Sequence, residues 1–269
     1  MKKIAILILL FLTGCSTASM PTPEAAPATP TVSAPRTLTV FAAASLTEAF
    51  TELGKAFEAA HPGITVTFNF AGSQVLRTQI VQGAQADIFA PASTRDMTAL
   101  VASLQVENSA LKQVFATNKM VVVLPKSNPA QISSLDQLAE PGVKLVIAAE
   151  PVPAGKYARL VLKNLNAEYG EGFNQKVLAN VVSNEENVRQ VLTKVQLGEA
   201  DAGIVYMTDA LSVPSLITIA IPDSYNSLVE YPIAALKASP NLDLAQAFVE
   251  FALSSEGQAI LQKWGFGKP

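Results

Sequence analysis

The chain has 269 residues, of which 49% are hydrophobic and 15% charged, with 19 basic against 22 acidic side chains, one cysteine and one histidine. A mildly acidic chain without a basic cluster makes a poor nucleic-acid binder, and a lone Cys with a lone His excludes an internal disulfide and a Cys/His metal cluster. Bulk charge does not attract an anion to such a chain, so an anion site would have to be local and built from dipoles and hydroxyls.

Lys2 and Lys3 precede the apolar run 4–12, which leads into Leu12-Thr-Gly-Cys15. A charged start, a short apolar stretch and a small residue before Cys predict a lipoprotein signal peptide over 1–14. The run is far short of the roughly 20 apolar residues of a spanning helix. Cleavage would leave Cys15 as the lipidation site, and acyl chains there would hold an exported protein on the bacterial cell envelope. Loss of Lys2 and Lys3 leaves 17 basic residues against 22 acidic ones. Residues 15–36 carry Pro21, Pro23, Pro27, Pro30 and Pro35 and too little apolar content to pack, so they read as a tether. Fold reasoning therefore starts at Thr37, with about 230 residues for one large or two modest domains.

From there strands and helices alternate. The run 38–43 reads as a strand. Ser45 and Glu48 have capping-box spacing ahead of a helix over 47–60, with Phe50, Leu53 and Phe57 on one face. A strand is expected at 64–70, a helix at 74–82 and a short strand at 87–90. Ser93 and Asp96 then start a helix with Met97, Leu100, Val101 and Leu104 on one face. Dense apolar strands follow at 119–124 and 144–148. The Pro-rich loop 150–155 opens a helix that runs to about 165. Ser183 and Glu186 repeat the capping-box spacing before Val188, Val191, Leu192 and Val195, with Glu185 and Glu186 expected in a solvated first turn. A buried strand at 203–206 ends in a tyrosine, a strand covers 229–236, and helices over 242–253 and 256–264 close the chain. Continuous apolar strands alternating with amphipathic helices predict an α/β fold with mostly parallel sheets covered on both faces. Ligands in such sheets sit beyond the carboxyl ends of the strands, where helix N-termini gather.

The strand-to-helix junctions present Ser45, Ser73, Ala154 and Val188, and Tyr206 ends a strand. Singly, each has an ordinary structural explanation: an N-cap serine, a helix start after Pro153, a core valine, a buried tyrosine. His61, in Ala60-His-Pro-Gly63, fits a C-terminal cap or a solvated side chain. No G-x-S-x-G elbow and no phosphate-binding P-loop is present.

The ordered phrases are more specific: Val40-Phe-Ala-Ala-Ala-Ser-Leu-Thr47, Phe70-Ala-Gly-Ser73, Gly83-Ala-Gln-Ala-Asp-Ile-Phe-Ala90, Val152-Pro-Ala-Gly-Lys-Tyr-Ala158, Asn187-Val-Arg189, Gly203-Ile-Val-Tyr206 and Val229-Glu-Tyr-Pro232. With these phrases the chain resembles the periplasmic molybdate-binding proteins of ABC importers from Leu38 to Gly267. Phe89-Ala-Pro-Ala-Ser93 departs from the pattern, since an acidic residue is common at the last place.

The resemblance implies a type II periplasmic-binding clamshell, with lobe one at 37–118 and 229–269 and lobe two at 119–228. It implies a tetrahedral oxyanion, molybdate or tungstate, held by the hydroxyls of Ser45, Ser73 and Tyr206 and the backbone amides of Ala154 and Val188. Molybdenum would enter only as that oxyanion. No cofactor, no catalysis and a monomeric state are expected. The partners would be a membrane permease, and the membrane itself through the Cys15 anchor. Two rival readings are a binding protein for another oxyanion, such as sulfate, and a secreted hydrolase using an exposed serine. The lack of a plausible general base opposes the second.

Overall fold

The computed structural model describes residues 35–103 and 113–269, and residues 34–269 form one unit. The signal peptide, Cys15, nearly all of the tether and Leu104 lie outside the described residues.

The first sheet is built by β1 (Arg36–Ala43), α1 (Thr47–Ala60), β2 (Ile64–Ala71), α2 (Ser73–Val81), β3 (Ile88–Ala90), α3 (Thr94–Ala102) and β4 (Gln113–Asn118). The chain then crosses within two residues into the second sheet. There it forms β5 (Met120–Leu124), β6 (Leu145–Ala148), α4 (Pro153–Asn164), α5 (Asn166–Tyr169), α6 (Phe173–Ala179), β7 (Val181–Glu185), α7 (Val188–Gln196), β8 (Ala202–Tyr206), α8 (Met207–Ser212) and β9 (Ile217–Ala220). It returns to the first sheet through β10 (Val229–Ala235), and α9 (Leu242–Leu253) and α10 (Ser255–Lys263) follow.

The strand orders are β2-β1-β3-β10-β4 and β7-β6-β8-β5-β9. In the first sheet β1 runs parallel to β2 and β3, while β10 runs against β3 and β4. In the second, β6 runs parallel to β7 and β8, while β5 runs against β8 and β9. Each sheet thus has four strands in one direction and a single reversed strand. The reversed strands are the two that receive the chain after a crossing. The result is a two-lobe α/β architecture in which both sheets repeat one plan.

Alternation along β1 shows why the sheet needs cover on both faces. Leu38, Val40 and Ala42 join the cluster holding Phe50 and Phe57 of α1, while Phe41 packs with Leu76 and Ile80 of α2 and Met97 and Leu100 of α3. Phe50 meets Phe115 at 5.5 Å and Phe248 at 6.1 Å between ring centroids, which fixes α1 against β4 and α9.

Four local expectations are corrected. Ser45 does not cap α1: it lies in a 3-10 turn, Ala44–Leu46, the N-cap position is Leu46 without a side-chain bond, and Glu48 turns outward to an arginine described below. Ser183 does not cap α7, because it belongs to β7; Asn187 caps instead, accepting from Arg189 N (2.9 Å) and Gln190 N (3.1 Å). Glu185 is not a solvated first-turn residue, since it is buried at the end of β7 and paired with Lys194 at 2.7 Å. Arg36 is the first residue of β1 rather than the last of a tether, clamped on Asp243 by two bonds of 2.7 and 2.9 Å. Two expectations agree with the structure. Ser93 caps α3, accepting from Asp96 N at 3.2 Å, and His61 sits at the end of α1 with Nδ1 2.9 Å from Phe57 O and its ring stacked on Phe57.

Candidate functional site

All five sequence-derived positions line a single cavity between the two sheets. Ser45 follows the carboxyl end of β1, and Ser73 follows that of β2. Ala154 follows β6, Val188 follows β7, and Tyr206 ends β8. Each of the five is buried. The empty volume is about 210 Å³ even with its open mouth included, below the roughly 300 Å³ at which pockets for organic ligands begin. Among the described residues its lining contains no Lys, Arg, Asp, Glu or His.

Chemically, the lining supplies donors. Two helices aim their N-termini at the cavity, and the first N–H groups of a helix have no intrahelical partner. In α4 the first position is Pro153, which has no N–H to leave unpaired, so Ala154 presents the first one. Its approach depends on Gly155: a Cβ there would fall 2.1 Å from Ala149 O and 2.3 Å from Ala148 O. Only glycine lets the helix start this close to the end of β6. In α7 the Asn187 carboxamide takes the N–H groups of Arg189 and Gln190, which leaves that of Val188 for the cavity.

The serines are held from behind. Ser73 Oγ accepts from Ala92 N at 3.0 Å, so its own proton is free to point forward. Ser45 Oγ lies 3.0 Å from Tyr231 Oη. The hydroxyl of Tyr206 is fully buried and has no hydrogen-bond partner among the described residues. Burial, with Tyr231, Tyr157, Asp209 and Asp96 adding to it, pushes its ionisation well above the usual phenol value. Tyr206 is therefore a neutral donor near neutral pH.

Across the mouth the lobes touch through polar groups. Gln74 Nε2 of α2 donates to Glu186 O at 3.0 Å, and a Cβ on Gly72 would fall 2.5 Å from that same oxygen. Arg189 of α7 reaches the other lobe, donating to both carboxylate oxygens of Glu48 and, at 3.3 Å, to Ala44 O. On its own lobe it donates to Ser212 Oγ at 3.0 Å, and its Nε lies 2.9 Å from Asp209 Oδ1. Asp209 is wholly buried, and its Oδ2 accepts from Tyr206 N at 3.2 Å. Sequence reasoning assigned no role to Arg189, Tyr231 or Gly155. The signal was present, since all three fall inside the quoted phrases, but their partners lie between 6 and 186 residues away in the chain.

A family model described as bacterial extracellular solute-binding protein matches residues 38–267. The molybdate-binding protein ModA of Mycobacterium tuberculosis strain H37Rv is 41% identical over 92% of this chain and 90% of its own. Two solved structures share the fold at lower identity. The periplasmic molybdate-binding protein of Azotobacter vinelandii has a TM-score of 0.76 at 21% identity, covering 86% of this chain and 99% of its own. The sulfate-binding protein SubI of Mycobacterium tuberculosis has 0.77 at 20%, covering 86% of each. Backbone likeness alone thus fits a molybdate binder and a sulfate binder equally well, and identity over nearly the whole length is what separates them: the chain belongs to the ModA family of bacterial extracellular solute-binding proteins.

Proposed function

We propose that this protein captures molybdate, and tungstate with it, between its two lobes and delivers it to the membrane permease of an ABC importer. The observation that carries this reading is the convergence of three hydroxyls and two helix-terminal amides, with no charged side chain, on one small cavity. Ser45, Ser73 and Tyr206 would donate through their hydroxyls, and Ala154 and Val188 through their N–H groups. Charge-assisted hydrogen bonds contribute about 1.5–3 kcal/mol each. Five to seven of them give roughly 8–20 kcal/mol before desolvation and ordering costs, which brackets the roughly 8–12 kcal/mol of micromolar to nanomolar binding. A lining rich in donors prefers a fully deprotonated ion, and among the described residues it offers no carboxylate acceptor to a protonated phosphate. The chain is a binding protein and not an enzyme, as its relatives are. Against a serine hydrolase, His61 closes the far end of α1, a 14-residue helix about 20 Å long, well away from Ser45.

The lobes would comprise 37–118 with 229–269, and 119–228, so that ligand bridging them stabilises a closed form that the permease reads. A thermal-shift panel tests the ligand. At a hundredfold excess over Kd, molybdate and tungstate are expected to add about 2.7 kcal/mol, roughly 5–10 °C in Tm for a chain of this size. Sulfate and phosphate at the same concentration should leave Tm unchanged. A shift with sulfate and none with molybdate would move the protein to the sulfate reading.

The chain is expected to work as a monomer outside the cytoplasm, held to the envelope by acylated Cys15 after removal of 1–14, with 15–36 as the tether. Cys15→Ser is predicted to move the protein from the membrane fraction to the soluble extracytoplasmic fraction with molybdate binding intact. Intact mass of the extracted wild type should show the added acyl chains, and an unmodified Met1 terminus would sink the anchor.

A further inference from the structure

We propose that Tyr231 is the positioning residue that turns the Ser45 hydroxyl proton toward the bound oxyanion, and that Asn118, at the crossing between the lobes, sets the direction of this relay. The inference rests on the assignment of Ser45 to the oxyanion site.

The direction follows from counting donors and acceptors. Asn118 Oδ1 accepts from Lys119 N at 2.9 Å, so the other end of its carboxamide must be the NH₂ group. That group donates to Thr208 Oγ1 at 2.9 Å and to Tyr231 Oη at 3.4 Å. Tyr231 is fully buried, and among the described residues the hydrogen-bond partners of its hydroxyl are this amide, which can only donate, and Ser45 Oγ at 3.0 Å. The phenolic proton therefore has one acceptor, Ser45 Oγ, and pointing it elsewhere would leave a buried O–H unsatisfied at about 1–3 kcal/mol. With the Tyr231 proton on its oxygen, Ser45 has its own proton free to turn into the cavity. Burial raises the ionisation of Tyr231 far above the ordinary phenol value, so the relay keeps its proton across the working pH range.

The placement adds a coupling. Asn118 is the last residue of β4, one step before the chain enters the second sheet, and Tyr231 lies in β10, just after the chain returns. Thr208, the third partner, belongs to α8 of the second lobe. One carboxamide thus touches the second lobe through Thr208 and, in the first, Tyr231, the residue that orients Ser45. Ser73 is oriented in the same way by the backbone N–H of Ala92, which follows β3 of the same sheet. Ser45 is the donor tied to the hinge.

The test is a double-mutant cycle read by calorimetry, with molybdate as the probe and phosphate at pH 6.5 as the competitor. Ser45→Ala is expected to lose at least tenfold in molybdate affinity; unchanged affinity there would remove the site assignment itself, separately from the relay. Tyr231→Phe in the native background is expected to lose about tenfold and to narrow the molybdate-to-phosphate ratio, because the Ser45 hydroxyl is then free to rotate and turn an acceptor lone pair toward a protonated ion. In the Ser45→Ala background, Tyr231→Phe should add no further loss. An equal loss in both backgrounds, or no loss beside native Ser45, overturns the relay and leaves Tyr231 as packing. Asn118→Ala gives the same comparison without touching the aromatic core, and a loss that survives in Ser45→Ala would count against the proposal in the same way.

Discussion

Tyr206→Phe is expected to weaken molybdate binding by about 10- to 150-fold and, in the same protein, to leave the ligand-free fold as stable as wild type or more so. The binding loss is one charge-assisted hydrogen bond of about 1.5–3 kcal/mol, converted at 1.4 kcal/mol per decade. The stability expectation has the opposite sign because the Tyr206 hydroxyl is buried without a partner among the described residues. Removing such a group relieves a desolvation cost of about 1–3 kcal/mol. The ring keeps its edge-on contact with Tyr231 at 5.9 Å, and Tyr206 N keeps its bond to Asp209, so neither packing nor backbone is disturbed. Calorimetry with molybdate and urea unfolding without it measure the two halves. A variant that loses binding and stability together would mean that the hydroxyl serves the fold, and unchanged affinity in both Tyr206→Phe and Ser45→Ala would remove the site.

The same opposition explains what could be read from the sequence and what could not. Strands in the middle of a sheet announced themselves: β5, β6 and β8 are buried along their whole length and apolar throughout, and β1 ends in the buried apolar run 40–43. The strands that were missed, β4, β7 and β9, are all sheet edges, whose polar or exposed positions leave no long buried apolar run to separate them from loops. Ser45 and Glu48 carry a capping pattern that is locally sound. Tertiary partners took both side chains instead, Tyr231 the serine and Arg189 the glutamate. Spacing along the chain could locate the junctions that face the ligand. What orients them comes from contacts such as Ser45 to Tyr231, 186 positions apart, and no periodicity reports those.

Arg189→Met is the second large effect, and its size should depend on pH. Of its two carboxylate partners, Glu48 is about a third exposed and can be solvated when the arginine is gone, while Asp209 has no exposure at all. Burial pushes Asp209 up from 3.8 to about 6; Arg189 and the Tyr206 N–H hold it down, and Glu48 pushes it higher. The native state thus binds this proton more tightly than the unfolded chain. The stability it contributes is fully present below about pH 4 and is lost as pH rises through 6, about 3 kcal/mol in all. Removing the guanidinium removes the strongest pull downward, so the carboxyl climbs further. At pH 7.5 the variant must either bury an unpaired charge or hold a proton against the solvent, and the cost of breaking such a pair is about 3–5 kcal/mol. At pH 5 Asp209 is mostly protonated already in the wild type, so little of that cost should remain. Urea unfolding of both proteins at the two pH values measures it. A loss of equal size at pH 5 and pH 7.5 would show that Arg189 acts through packing or through Glu48 rather than through the buried carboxylate. Molybdate affinity should fall as well, although Arg189 does not line the cavity, because its bonds to Glu48 and Ala44 O exist only while the lobes are together. A cage whose described lining carries no charged side chain would thus draw its closure from an ion pair beside it, and leave the choice among anions to hydroxyls and amides.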